Sequence, residues 1–385
     1  MKNKINKICV LAIFFLSASG FGQTISGIVR DINTNKPIES AAVYFDQTTI
    51  GTSTDNEGKF EILQNEKVNT PLVISFLGYK KVRIERYNSA SFYKIFLEEA
   101  ENELDQVVIN VDEGMSKARK LEEFKREFLG DTKNGKSCII LNKDDLILRF
   151  NKKTRKLLAS SYKPIKIVNE NLGYSISHDI GTFNIDYGFV NLEKEIYWVN
   201  GVFYEGTSFF RSVEDAGKKV QKRRDNAYTG SILHFMRALR DEQLIERDYQ
   251  VFSRGLTIQP DNYIQVIAED SITFKVRMRL PLSILYDKKY QTDLKPKFKI
   301  NSVRLSKRKP IFRNGDTMKA KKISALRFSD TITGQKARTS YYNTTFQIDN
   351  FGNFGPPTAF LFSGYMGRLR LGDTLPLDYD LNTNE

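Results

Sequence analysis

Residues 51–62 read GTSTDNEGKFEI, and this stretch decides the fold class. A Thr-rich run, whose β-branched side chains suit a pleated strand, stops at an Asp-Asn-Glu-Gly cluster and restarts as alternating apolar and charged residues. Gly58 supplies the positive φ that a tight reversal requires, and Phe60 and Ile62 then share one face. The stretch therefore predicts a β-hairpin and, with it, a β-rich domain.

The same pattern of short strands and turns continues on both sides of this stretch. The strand-like runs are TISGIVRD, AAVYFD, TTIGTST, KFEIL, PLVISFLG, YKKVRIER and FYKIFLE. Within PLVISFLG, Leu72, Ile74 and Phe76 fall on one face, as a strand buried on one side requires. Seven runs of this kind predict a seven-stranded β-sandwich with its hydrophobic core between two sheets.

Three motifs of this region carry a resemblance. SGIVRDINTNKPIESAAVYF, GTSTDNEGKFEI and ISFLGYKKVRI, in this order, resemble the carboxypeptidase regulatory-like domain. That family has a transthyretin-like β-sandwich and is frequent at the start of exported proteins of Bacteroidota-type bacteria, ahead of TonB-dependent receptors and of proteins of unknown function. The stretch LDQVVIN, residues 104–110, is similar to the strand that leads toward the plug of such receptors. The resemblance implies a docking or scaffold domain and leaves the activity open.

The first 22 residues predict an export signal. Three lysines precede the apolar run of residues 8–16, and small residues follow it, which places the cleavage site before Gln23. The apolar run is about half of the roughly 20 residues that a membrane-spanning helix needs. We therefore expect an exported protein of the periplasm or outer membrane, and peripheral membrane association stays open.

The net charge of +13 is unevenly distributed. Residues 24–100 hold nine basic and ten acidic residues, so the excess of the mature chain follows them. Basic clusters occur at 152–156, 218–224 and 304–309. A basic surface attracts anions. Because export argues against nucleic acid, the expected partners are an envelope protein or an anionic surface, namely lipopolysaccharide or an acidic protein.

The remainder of the chain changes character after Asn110. Residues 112–130 place Leu121, Phe124 and Phe128 at helical spacing, and Gly130 is suited to cap the helix. The rest reads mostly as strands, with helical spacing at 214–246. The predicted organisation is a signal peptide at 1–22, a regulatory-like sandwich at 23–110, a linking helix at 111–136 and a β-rich α+β basic domain with one helical island at 137–385.

Catalytic motifs are missing from the sequence. A metallocarboxypeptidase needs His-x-x-Glu spacing and further zinc ligands, whereas the two histidines, His178 and His234, are followed by other residues. Asp55 and Glu57 are too few carboxylates for calcium. Cys138 opens an apolar run, which favours a core role over a nucleophile. We therefore expect no carboxypeptidase activity, no metal and no cofactor, while other hydrolase activity stays open.

The helical island contains the candidate binding residues. They are Lys222, Arg223, Arg224, Tyr228, His234 and Arg237. On a helical wheel Ile232, Phe235, Met236 and Leu239 form an apolar stripe, and the wheel places His234, Arg237 and Asp241 opposite it. Two interpretations follow: an anion-binding patch of arginine forks, or a solvated face on which Arg237 pairs with Asp241.

Trp198 allows two interpretations as well. It is the sole tryptophan and lies in EIYWVNGVFYEG, where alternation sends Tyr197 and Val199 to one face and Trp198 to the other. Such aromatic density either forms a platform for a glycan or packs in the core, and core packing is the expectation.

These observations predict a non-catalytic envelope protein that acts as a binding or assembly module. The sandwich would dock, and the basic C-terminal domain would meet an anionic partner. Two alternatives stay open: an enzyme of unknown class that uses His234 or His178, and an outer-membrane β-barrel or an accessory of a TonB-dependent receptor.

Overall fold

The computed structural model describes residues 23–64, 70–88, 91–100, 114–213, 217–296 and 342–381. The predicted signal at 1–22, the stretch at 104–110 and the basic cluster at 304–309 lie outside these residues. Strands dominate the described chain, as the sequence predicts, and three large hydrophobic cores organise it, with a fourth, small cluster of Tyr44, Val73 and Phe209.

The N-terminal unit is the predicted seven-stranded sandwich. Its strands are β1 Gln23–Asp31, β2 Ala42–Phe45, β3 Gly51–Ser53, β4 Lys59–Gln64, β5 Leu72–Ser75, β6 Val82–Ile84 and β7 Phe92–Leu97. One sheet has the order β4-β1-β7, with β1 and β7 parallel, and the other has the order β3-β2-β5-β6. Inward side chains from both sheets, such as Ile25, Val43 and Ile74, fill the core.

The stretch at 51–62 is not a hairpin, so that prediction is wrong in its pairing. β3 pairs with β2 in one sheet, while β4 pairs with β1 in the other, and the turn between them crosses the sandwich. Thr54 explains the crossing, because its hydroxyl donates to Ile38 O (2.6 Å) and accepts from Ala41 N (2.8 Å), which ties the chain to the sandwich corner. Gly58 has the expected positive φ of 77°, and Phe60 and Ile62 are both buried.

The helix predicted at 112–130 forms as α1, Lys117–Leu129. Ser116 caps its start by accepting from Arg119 N, and Gly130 caps its end with φ 100°. Phe124 and Phe128 are fully buried in the core of the next unit, so the helix is part of that unit as well as a connection.

The middle unit is one long sheet covered by helices. After α2 Lys133–Lys136 its strands are β8 Cys138–Ile140, β9 Leu146–Asn151, β10 Lys156–Ser161, β11 Ile165–Asn169, β12 Tyr174–Asn191 and β13 Ile196–Ser212. β11 and β10 pair with successive parts of β12, and β13 pairs with its other side along nearly the whole length. The inner face packs against α1, and the outer face carries the sites described below.

The helical island consists of two helices, α3 Lys218–Tyr228 and α4 Ile232–Arg240. Tyr228 at the end of α3 belongs to the middle core, while Phe235 and Leu239 of α4 belong to the C-terminal core. Gly230, between them, has φ 75°, and a side chain there would collide with the ring of Tyr286. Because α3 packs in the middle core and α4 packs in the C-terminal core, the island joins these two units.

The C-terminal unit packs two sheets against α4. Its strands are β14 Tyr249–Ser253, β15 Leu256–Ile258, β16 Ile264–Ala268, β17 Thr273–Leu280, β18 Leu282–Tyr286, β19 Tyr290–Lys295, β20 Tyr342–Asp349, β21 Phe354–Gly355 and β22 Leu361–Gly364, followed by α5 Tyr365–Arg368. The sheet orders are β15-β14-β18-β19-β22 and β16-β17-β20-β21. Among the residues described, no helix combines the length and the apolar character needed to span a membrane.

The last described segment, residues 371–381, contacts all three units. Leu371, Leu375 and Tyr379 insert into the middle core, and Leu377 inserts into the sandwich core. Arg237 of α4 donates to backbone carbonyls of the same segment. We call residues 371–381 the C-terminal strap, because it fastens the three cores to each other.

Candidate functional site: a basic cleft between the sandwich and the middle sheet

The six candidate binding residues do not share a solvent-exposed face. Tyr228, Arg224, His234 and Arg237 are 4–7% exposed. Arg223 is half-buried, and Lys222 alone is exposed. The helical wheel predicted an exposed face on α4, and that prediction is wrong because both faces are covered. The C-terminal core covers one face, and the C-terminal strap covers the other.

Arg224 is a structural cation of the middle unit. Its Nε donates to Leu172 O (2.7 Å), its Nη2 donates to Gly173 O (2.8 Å), and its guanidinium lies 3.9 Å from the ring centroid of Tyr174. The neighbouring Arg223 donates to the carbonyl of Asn171. These donors are used by backbone acceptors, so they do not form an arginine fork that is open to an anion.

Arg237 fastens the C-terminal strap. Nε donates to Phe351 O (2.8 Å), Nη1 to Tyr379 O (2.8 Å) and Nη2 to Leu377 O (2.7 Å). Its ion pair is with Asp380, at 3.0 Å, so the expected pair with Asp241 is wrong. Asp241 instead binds Arg240 and Arg247. The physical reason is that the strap passes over this face of α4, and its carbonyls saturate the buried guanidinium.

A cavity of about 580 Å³ lies beside Arg237 and Asp241. Tyr228, His234 and Arg237 line it together, so three of the six candidate residues do meet. His234 Nδ1 accepts from Gly230 N (3.1 Å) and lies 3.0 Å from Tyr249 Oη, and burial, with Arg247 and Arg237 nearby, lowers its pKa to about 4. The imidazole is therefore neutral near pH 7 and works as a structural acceptor.

His178 lies in a different unit, on β12. Its Nδ1 is 2.8 Å from Ser208 Oγ, and its ring packs against Phe128. Burial, with a contribution from Lys81, lowers its pKa to about 3. His178 and His234 belong to separate packing environments, and the described ranges contain no cluster of three or more His, Cys, Asp or Glu side chains that could hold a metal ion.

Cys138 is partly buried at the start of β8. Its thiol donates to Asn134 O (3.4 Å), and burial, helped by Asp373, raises its pKa to about 12. A thiol with this pKa is protonated near pH 7 and is a poor nucleophile.

A cavity of about 960 Å³ opens between the sandwich and the outer face of the middle sheet, and we call it the basic cleft. Its first wall is the segment of residues 75–81 that connects β5 and β6. Its second wall comprises residues 161–166, at the turn between β10 and β11, together with outward side chains of β12 and β13. Tyr162 and Leu77, which are both exposed, also line the cleft.

The charges of the basic cleft are strongly one-sided. The cationic side chains that line it are Lys80, Lys81, Lys163, Lys166 and Arg211, whereas Asp179 is the sole carboxylate of the lining. Three of these cations have acidic partners: Lys80 pairs with Glu98 at 2.9 Å, Lys81 pairs with Asp179 at 3.4 Å, and Lys163 lies 3.6 Å from Asp145. In the described part of the chain, Lys166 and Arg211 have no ion-pair partner. Two cations are thus available to a ligand.

Among the cations of the cleft, Lys166 gives the strongest indication that the cleft binds an anion. Its Nζ donates to Ser177 Oγ (2.9 Å), and partial burial, together with the nearby charge of Arg211, lowers its pKa. A partly desolvated ammonium group beside a second cation favours an incoming anion, because the anion offsets both the desolvation of Lys166 and its repulsion from Arg211. The arrangement is suited to bind carboxylate or phosphate oxygens.

The joint below the cleft is rigid. Thr48 forms a parallel bridge with Phe209 of β13, and Gln47 N donates to Ser208 O (2.7 Å). Asp46 Oδ1 accepts from Ser208 N (2.8 Å), and burial raises the pKa of Asp46 to about 6. Tyr44 packs on Phe209 with ring centroids 4.9 Å apart. The two walls are therefore held at a fixed spacing.

Sequence reasoning missed these cleft residues. Sequence reasoning placed the excess charge in runs of lysines and arginines. Lys80 and Lys81, however, belong to the sandwich, whose net charge is near zero. Lys163 and Lys166 do not form a run, because two residues separate them. YKPIK at 162–166 carries a usable signal: alternation on β11 turns Lys166 outward beside an exposed tyrosine. The meeting of the two walls is a tertiary feature with no local signal.

Trp198 also differs from expectation. It is 66% exposed, so the predicted core packing is wrong, whereas Tyr197 and Val199 pack on the middle core as alternation predicts. Within the described ranges no layer covers the outer face of β13 at this position, and the ring packs against Phe189 at an angle of 44°.

Comparison with known proteins confirms the resemblance of the sandwich. Residues 25–109 match the family model of the CarboxypepD_reg-like domain. Over 104 residues the chain is 34% identical to the TonB-dependent receptor SusC of Bacteroides thetaiotaomicron. The match covers 26% of this chain and 10% of the receptor, so the chain spans about a tenth of that relative's length. The N-terminal sandwich is thus a carboxypeptidase regulatory-like domain, and the family match ends at residue 109, before the middle and the C-terminal unit.

Proposed function

We propose that the protein is an exported, non-catalytic binding or assembly module of the bacterial envelope, and that the basic cleft receives an extended acidic segment of a partner protein. The regulatory-like domain and its likeness to a TonB-dependent receptor support a place at the outer envelope. The observation that carries the proposal is the cleft itself, in which Lys166 and Arg211 face the solvent without an ion-pair partner among the described residues.

The shape of the cleft favours a protein segment over a membrane. A volume of about 960 Å³ between two walls matches several residues of extended chain, whereas a bilayer presents headgroups on a flat surface. Cations occur on both walls, Lys80 and Lys81 on one and Lys163 and Lys166 on the other. A linear ligand with carboxylates on alternate sides would contact both walls.

The sandwich then has two roles. It forms one wall of the site, and its rigid joint to β13 keeps that wall in place. A preorganised site loses less entropy when it binds, so the joint contributes to affinity without touching the ligand.

The ionisation of the candidate nucleophile and bases supports a non-catalytic role. A thiol with a pKa near 12 and imidazoles with pKa values near 3 and 4 are poorly suited to nucleophilic or general acid-base catalysis at neutral pH. The site chemistry therefore supports recognition through charge.

Calorimetric titration of the mature chain with a short poly-glutamate peptide tests this function. We expect saturable binding that weakens at least tenfold in Lys163→Glu/Lys166→Glu and that weakens in the wild type between 50 and 500 mM salt. Lys152→Glu/Lys153→Glu is the matched control, since it reverses two exposed lysines at the turn between β9 and β10.

Photo-crosslinking in living cells provides the second arm. A photoreactive residue at Tyr162 should capture an envelope protein, and the same residue at exposed Leu256 of β15 should not. Equal weakening by both charge reversals would overturn the proposal, because it would indicate a diffuse charge effect. Capture of lipopolysaccharide instead of protein would assign the cleft to a different ligand.

A further inference from the structure

The outer face of the β12/β13 hairpin carries a second, uncharged feature. Near the closed end of the hairpin, the rings of Phe189 and Trp198 are in contact, with centroids 5.1 Å apart and an interplanar angle of 44°, and they are 41% and 66% exposed. Soluble proteins rarely leave two large rings together in water without a use, because their burial would be favourable.

Local backbone irregularities place these rings together. Tyr187 pairs with Val199 and Phe189 pairs with Trp198, so Gly188 is an extra residue on β12 and forms a bulge. In a regular strand Phe189 would share the inward face of Tyr187. The bulge turns Phe189 outward onto Trp198, and Arg155 Nη1 fixes the bulge by donating to Gly188 O (2.9 Å). Bulges that redirect a side chain in this way are frequent near functional sites.

Polar groups border the aromatic pair. Asn200 lies two residues from Trp198 on the same face and is exposed, and its Nδ2 donates to Asp186 Oδ2 (3.2 Å). Asn200 is itself an extra residue on β13, because Asp186 pairs with Gly201 and Tyr187 pairs with Val199. The surface therefore combines an apolar platform of two inclined rings with a carboxylate and an amide at its edge.

The size of the platform selects the class of ligand. An aromatic side chain buries about 150–250 Å² at most, so two rings supply well under the roughly 800 Å² per partner of a stable protein interface. A ligand the size of one or two rings fits. It needs a flat face that carries C–H groups, to lie on the electron-rich faces of the rings, and polar groups around its rim, to meet Asp186 and Asn200.

A pyranose ring has this chemistry, since its axial C–H groups form an apolar face and its hydroxyls donate to carboxylates and bond with amides at the rim. We propose that Phe189 and Trp198 form a saccharide-binding platform, with Asp186 and Asn200 as the residues that bind the sugar hydroxyls. The platform lies on the same sheet face as the basic cleft but uses none of its lining residues. The proposal is thus independent of the proposed function.

The chain contains its own reporter for this site, because Trp198 is the sole tryptophan. The mature protein is titrated with hexasaccharides of glucose, of N-acetylglucosamine and of mannose, and tryptophan emission is followed. We expect at least one of them to shift the emission to the blue and to saturate. Phe189→Ala, which keeps the reporter, should weaken that binding at least fivefold, and Asp186→Ala at least threefold.

The control is Leu256→Ala, which removes an exposed apolar side chain from another sheet and should leave the titration unchanged. Far-UV circular dichroism checks the fold of each variant, and Asp186→Ala replaces Phe189→Ala as the decisive variant if the bulge proves necessary for folding. No emission change with any of the three sugars at millimolar concentration, or binding that neither variant weakens, would overturn the proposal. A response to a single-stranded oligonucleotide alone would do the same.

Discussion

The cations that line the basic cleft and those of the helical island have the same chemistry and different roles. On α3 and α4, Arg224 and Arg237 are buried, and backbone carbonyls accept from their guanidinium groups. In the cleft, Lys166 and Arg211 are exposed on a sheet face and lack an ion-pair partner within the described chain. The difference teaches that a buried, saturated arginine holds a fold together, whereas a solvent-facing, unpaired cation is available for recognition.

Removal of the Arg237 side chain should produce the largest effect. Arg237→Ala leaves the carbonyls of Phe351, Leu377 and Tyr379 without a donor and frees the C-terminal strap. We expect a loss of about 3–5 kcal/mol in the free energy of unfolding, measured with urea. Arg237→Lys, which keeps the charge but not the fork, should recover only part of it. A loss below about 0.5 kcal/mol would show that the strap is not fastened by this residue.

Truncation of Leu377 tests the other attachment of the strap. Leu377→Ala removes a side chain that is buried in the sandwich core while its backbone still accepts from Arg237. We expect a loss of about 2–3 kcal/mol, mostly the cost of the cavity. Hydrogen exchange should also accelerate at Leu377 N, which donates to Gln47 O. Faster exchange confined to the C-terminal unit would contradict this account.

The joint below the cleft should respond to pH. Burial raises the pKa of Asp46 from 3.8 to about 6, so its stabilising contribution is complete below pH 3.8 and is lost as pH rises through 6. Asp46→Asn lacks this dependence. Between pH 4 and pH 7.5 the variant should therefore gain on the order of 1–2 kcal/mol relative to the wild type. Denaturant midpoints at both pH values measure the difference, and parallel pH profiles would contradict it.

The smallest stability effect is expected in the cleft itself. Lys166→Ala/Arg211→Ala removes two solvent-facing side chains without an ion-pair partner, so the free energy of unfolding should change by less than about 0.5 kcal/mol. A large destabilisation would place these residues with Arg237 among the structural cations, and it would remove the contrast between the two regions.

Sequence reasoning predicted most of the sandwich correctly and could not predict its connections. Short apolar runs bounded by turn residues identify β1–β7, and alternation is visible where one face of a strand is buried, as in β7. β2 and β5 are buried on both faces, because Tyr44 and Val73 pack against Phe209. The partner of each strand is a non-local property, and Thr54 redirects the chain through a contact with Ile38. The hairpin prediction failed for that reason.

The candidate site was harder to predict than the fold. A helical wheel assumes one buried face, yet the strap covers the second face of α4 and buries Arg237. Glu123 of α1 illustrates the same limit: it lies among the charged positions of an amphipathic helix and is fully buried, where Arg119, Arg126 and the hydroxyl of Tyr187 bind it. The prediction for Trp198 is wrong in the opposite direction: alternation places the side chain on the outer face, but whether another layer covers that face is a tertiary property that local sequence does not indicate.

One titration tests the central claim most directly. A poly-glutamate peptide is titrated into two charge-reversed variants, Lys163→Glu/Lys166→Glu in the cleft and Lys218→Glu/Lys222→Glu on exposed positions of α3. If the cleft is the recognition site, the first variant loses at least tenfold in affinity and the second stays within about twofold of the wild type. Loss of binding in the α3 variant with retention in the cleft variant would contradict the account.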